Sequence, residues 1–123
     1  MIFLRAHRLN AWFGEAWLAA KRAEEQQAAA EWAAKFDMPP LEGPERALDW
    51  GDRSRHQLMT AAHTALVIEG AWNEADWADL EAKARTINRA GWWIDQREAD
   101  GADLLELLDA ATEQDRGTEN PFR

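Results

Sequence analysis

Cysteine is absent from this 123-residue chain, which removes disulfides, thiolate metal sites and thiol nucleophiles together and fits a reducing compartment. Histidine is scarce, with three in all. His56 and His63 share a helical face but stand about 10 Å apart along its axis, whereas metal-ligand pairs on a helix are spaced three or four residues. Structural or partner-contact roles are therefore predicted for both. No stretch approaches the roughly 20 apolar residues of a membrane span, and the apolar run in MIFLRAHRLN is too short for a signal-peptide core. The expectation is a soluble, cytoplasmic chain, in a bacterial or phage-infected cell or in a virion, without membrane contact. Glycine-rich phosphate loops, a G-x-S-x-G elbow and basic helices interleaved with aromatics are missing too. Few routes then remain for assembling a nucleophile beside its base, so a non-enzymatic binding function is predicted, with no cofactor, metal or catalytic residue.

What the chain does have is tryptophan, eight residues against no tyrosine, and negative charge. The formal net charge of -9 is uneven. Residues 1–60 hold nine acids against eight Lys and Arg, and residues 61–123 hold fourteen against six. Such a C-terminal half repels phosphate backbones and anionic lipid, which argues against direct nucleic-acid binding and favours a protein partner with a basic surface.

The length suits one domain with a real core, expected over residues 1–116 with a short tail at 117–123. Helix-forming Ala, Glu, Gln, Lys and Arg dominate from Asn10, an N-cap candidate, to Phe36, before Pro39 and Pro40. The middle of this long helix offers only alanine as apolar surface. It either crosses a neighbour closely or projects to meet a partner or another copy. Residues 38–52 read as the longest connection, with one turn of helix at 45–49, and Trp50 there either plugs the bundle end or waits for a ligand. A second, strongly apolar helix should run from Asp52 or Arg53 to Glu69, with Gly70 as its stop. Asn73 then caps a helix predicted to continue to Glu98, and the short link makes these two an antiparallel hairpin. Its apolar residues Trp77, Leu80, Ala84, Ile87, Gly91 and Ile94 are spaced three and four apart, one stripe of a helix. Trp92 and Trp93 would point about 100° apart, leaving one indole in need of a second surface. A last helix should run from Asp100 to about Gln114, its leucines on one side and Asp103, Glu106, Asp109 and Glu113 on the other. The fold class predicted is all-α, a small antiparallel bundle of about four helices with a long N-terminal helix.

Acids three apart occur at Glu42 and Glu45, Asp76 and Asp79, Asp95 and Glu98, and Asp103 and Glu106, a pattern that resembles the all-α nucleoside triphosphate pyrophosphohydrolases with their ExxE and ExxD motifs. That resemblance implies magnesium between facing helices; it covers scattered pairs only, and no Lys or Arg cluster for a triphosphate accompanies them.

Two binding functions follow from the residues. In the first, surplus indoles anchor a partner protein or further copies in an oligomer, as an adaptor or assembly protein would, with Trp92, Trp93, Trp50 and Trp12 as the candidates. In the second, the stripe Asp103, Glu106, Asp109 and Glu113 imitates phosphates, since acids three or four apart on a helix stand about 5 to 6 Å from one another. In size and charge this resembles small phage-encoded inhibitors such as anti-CRISPR proteins. The adaptor is the leading expectation.

Overall fold

The computed structural model describes the backbone of residues 2–116 and the side chains of residues 14–116; Trp12's indole and the tail at 117–123 lie outside the described residues. The fold is all-α, with five helices, of which the first is by far the longest. α1 (Ile2–Lys35) continues unbroken through Asn10, which is interior rather than a cap. No proline or glycine precedes it to stop the helix, and helix formers flank it on both sides. The helix closes where Asp37 takes a left-handed φ of 54° and the Met38 N–H reaches back to the Ala33 carbonyl at 2.9 Å, with Pro39 following.

α2 (Glu45–His63) starts seven residues earlier than Asp52, immediately after Pro44. The expected turn at 45–49 is its first turn, so the connection is shorter than predicted. Proline just ahead of the first helical residue costs no hydrogen bond there, because early N–H groups lack partners anyway. At its far end α2 widens into a π-helical turn, Thr64–Ile68. There the Glu69 N–H donates to the Thr64 carbonyl at 2.8 Å.

α3 (Glu74–Arg85) begins as predicted at Asn73, whose side chain accepts from the Asp76 N–H at 2.9 Å. Asp76 accepts in return from the Asn73 N–H at 3.1 Å. This reciprocal cap accounts for both residues. The predicted continuation to Glu98 is overturned. The chain leaves the helix at 86–89 and resumes in the short α4 (Ala90–Asp95). Thr86 and Ile87 are β-branched and Asn88 competes for backbone hydrogen bonds, so local helix preference is low. Thr86 Oγ1 donates to the Lys83 carbonyl at 2.7 Å. The freed backbone pairs instead with the 41–43 loop: Glu42 N–H to the Asn88 carbonyl at 2.7 Å, and Ala90 N–H to the Glu42 carbonyl at 2.8 Å. A 3-10 turn, Gly101–Asp103, leads into α5 (Leu104–Ala110), which ends four residues short of Gln114.

α2 is the central element. α1 and α4 are its main neighbours, while α3 packs chiefly against α5. The expected α2–α3 hairpin is therefore not the principal pairing. α4 can approach because Gly51 has no side chain: a Cβ there would stand 2.8 Å from Ala90 Cβ. The core so formed includes Leu58, Met59, Leu80, Ile87, Trp93, Leu104 and Leu108.

After α5 the chain folds back onto Asp115, which is buried. Its carboxylate accepts from Arg89 Nε at 2.8 Å, from the Thr112 N–H at 3.1 Å and from Thr112 Oγ1 at 2.9 Å. Burial alone would raise its pKa, but the bonds from Arg89 and Thr112 outweigh it and hold the carboxyl below its ordinary value. A depressed native pKa contributes stability at neutral pH that is lost as pH falls below the unfolded value of about 4 and through the native one. Asp115→Asn is expected to be less stable than the parent at pH 7, with the gap closing as pH is lowered toward 3. Urea titrations of both chains across that range check it; a gap that is constant with pH would refute it.

Candidate functional site

The feature most like a site is an apolar groove of about 490 Å³ where the C-terminal ends of α1 and α2 meet α3. α1 supplies Trp32 and Phe36, four apart and therefore on one face, with ring centroids 5.9 Å apart. α2 supplies Met59 and His63, and α3 supplies Trp77, whose indole meets the His63 ring edge-on at 4.9 Å. The π turn forms the remaining wall with Val67 and Ile68. Ile68 is 68% exposed, so the wall's apolar surface is open to water. The charged side chains lining the groove, Glu74 and Glu81, are both acids. His56, next along α2, stacks tilted on Trp32 at 5.4 Å, and burial lowers its pKa.

Of the indoles predicted as anchors, Trp92 and Trp93 are 5% and 0% exposed. They are core residues, which corrects the expectation that they anchor a partner: the second surface one of them needs is supplied within the fold. That expectation assumed a continuous helix. With the chain turned at 86–89, α4 lies between α2 and the 41–43 loop and is covered on more than one side. The two rings meet edge to face at 4.8 Å, and the Trp93 Nε1–H donates to the Ile87 carbonyl at 2.9 Å. Trp50 is 45% exposed, with the Arg97 guanidinium over its ring at 5.1 Å. It borders a polar cleft of about 300 Å³ with Arg22, Arg53 and Glu98. Trp17, not among the candidates, is 61% exposed on α1 beside Leu18 at 49%. The missed signal was its setting among alanines and charges, with no second apolar row to bury it.

Asp103, Glu106, Asp109 and Glu113 are all exposed, yet they do not make one helical row. Asp103 is in the 3-10 turn and Glu113 lies beyond the end of α5. Asp109 is paired with Lys83 Nζ at 2.6 Å. The acid pairs three apart are likewise dispersed, and among the described residues no group of three or more metal-ligating side chains converges. Among the same residues no helix is long and apolar enough to cross a membrane. Comparison of the chain with models of known protein families, with curated proteins and with solved structures finds no match.

Proposed function

We propose that this chain is a non-enzymatic protein-interaction module, an adaptor or assembly protein, whose docking surface is the α1–α2–α3 groove. The observation that carries it is a water-exposed aromatic and aliphatic trough with Trp32, Phe36, Trp77 and Ile68 on its walls and the acids Glu74 and Glu81 among its lining. Aromatic walls give an apolar side chain a large area to bury, and acids of a single sign select the charge that accompanies it. The fitting partner is a helix that presents a large apolar residue with Lys or Arg one turn away. Trp50, with Arg97 on its face, is a secondary contact. Fluorescence polarisation of a labelled amphipathic helical peptide carrying Trp, Leu and Lys tests this. Saturable binding is expected, at least about tenfold tighter than for the same peptide with Glu in place of Lys, and weakened about tenfold or more by Trp77→Ala or Ile68→Asp. Equal binding of both peptides, or none of either, would sink the reading.

A further inference from the structure

We infer that the groove's partner is a second copy of this same chain, resting on the interaction-module reading above, with two α1 helices paired antiparallel about Gln26 so that each inserts Trp17 beside the other's groove.

Among the described residues, α1 packs on its own body from Glu25 onward. Glu25, Gln26, Ala29, Trp32, Ala33 and Phe36 are buried or half-buried, whereas every side chain from Glu15 to Glu24 is exposed. That ten-residue stretch extends about 15 Å beyond the last packed turn and carries Trp17 and Leu18, two of the four large hydrophobics that are exposed among the described residues. A helical segment without tertiary cover is marginal in water, so this one has most to gain from a partner.

Charge points to what the partner is. Residues 1–36 hold five Lys and Arg against four acids, and residues 37–123 hold nine against nineteen. α1 is thus the part of the chain that an acidic surface attracts. Lys21 follows Trp17 by four residues and Arg22 follows Leu18 by four, so each exposed apolar side chain has a cation one turn away. An apolar anchor with a base one turn on suits the α1 edge of the groove, where Glu31 is exposed beside the aromatic residues Trp32 and Phe36.

The register agrees. Trp17, Lys21, Glu24, Ala28, Glu31 and Lys35 are all exposed and are spaced alternately four and three apart, so they line one face of the helix. At 100° per residue they occupy a window of about 80°. Laid antiparallel on itself about Gln26, this seam puts Trp17 opposite the second copy's Lys35, Lys21 opposite its Glu31, and Glu24 opposite its Ala28. Opposite charges meet, an indole faces an ammonium, and the small Ala28 beside the dyad lets the backbones approach. Trp17 then lies within a turn of the second copy's Trp32 and Phe36, the α1 wall of the groove. The dyad repeats the insertion in the other direction, so the contact closes as a two-fold dimer and does not propagate.

The absence of native cysteine makes the register directly readable. Lys21→Cys and Glu31→Cys chains are prepared separately, mixed and treated with a short bis-maleimide. Preferential 21-to-31 crosslinks are expected, together with a light-scattering mass of twice 14.0 kDa at about 100 µM protein. Trp17→Ala should return the mass to a single chain, with a urea unfolding midpoint for the body no lower than that of the parent diluted to a single chain, and Trp17→Phe should keep the dimer. Predominant 21-to-21 crosslinks, a dimer indifferent to Trp17→Ala, or a single-chain mass up to about 500 µM would each overturn the inference. In that last case the labelled cationic peptide separates the two claims. If the monomer binds it, only the second copy as partner fails; if it does not, the groove reading fails with it.

Discussion

Trp93→Ala is expected to lower the free energy of unfolding by about 3–5 kcal/mol, since Trp93 is the largest fully buried side chain among the described residues. Its indole is 0% exposed and sits against Trp92. The chain around it is fixed by the loop pairing at 88–90, so little can collapse into the space left behind. Removal also strands the Ile87 carbonyl, which accepts from Nε1 at 2.9 Å, and an unpaired buried carbonyl carries its own cost. Against a total stability of about 5–15 kcal/mol for a domain of this kind, the melting temperature should fall by about 10–20 °C. Trp93→Phe, which keeps most of the volume but not the N–H, should fall between the two. Calorimetry of the three chains measures this; a drop of less than about 3 °C for the alanine variant would mean that α4 is not held as described.

The second large effect is expected at Gly101, where a helix backbone rather than a side chain is the obstacle. A Cβ at this position would stand 2.6 Å from both Ala61 C and Ala62 N of α2. Neither atom can rotate away, so α2 or the 3-10 turn must move as a unit. Gly101→Ala is expected to cost about 3 kcal/mol, at the upper end of the usual range for overpacking. Gly14→Ala makes the contrast, because a Cβ at Gly14 meets nothing within 4 Å; in the middle of a helix the same change should stabilise by about 0.5–1 kcal/mol. Parallel urea denaturation of the two variants reads the difference. Similar effects at both positions would contradict the close crossing of Gly101 and α2.

The two sites differ in how far the sequence announces them. The helix start at Asn73 was readable because a capping box is local: its whole chemistry lies within Asn73 to Asp76. The stripe through Trp77, Leu80, Ala84 and Ile87 was readable for the same reason, and those last three are fully buried. The break after Arg85 was not, although Thr86, Ile87 and Asn88 are weak helix formers. What stabilises the break is Glu42, more than forty residues away, whose backbone pairs with 88 and 90. Once that bend is lost from the reading, Trp92 and Trp93 are misplaced with it. The early start of α2 is the converse case: Pro44 reads as a loop residue in the sequence, yet in that position it precedes a helix. As for the groove, Trp32 and Phe36 were visible as a pair four apart, but Trp77 was read as part of a core stripe, and no local pattern announces that three elements converge. The exposure of Trp17 leaves only a faint trace in the sequence, its setting among alanines and charges, because exposure is a property of what fails to pack against a residue.

The π turn at Thr64–Ile68 accommodates one residue more than an α-helix needs. Removing one residue between Thr64 and Ile68 should let α2 run on as regular helix and swing the Val67–Ile68 wall by about 100°, a change that circular dichroism and loss of peptide binding would read and that also moves Leu66, which packs on the core. Chain length at that turn therefore sets where the Val67–Ile68 side of the groove stands relative to Trp77.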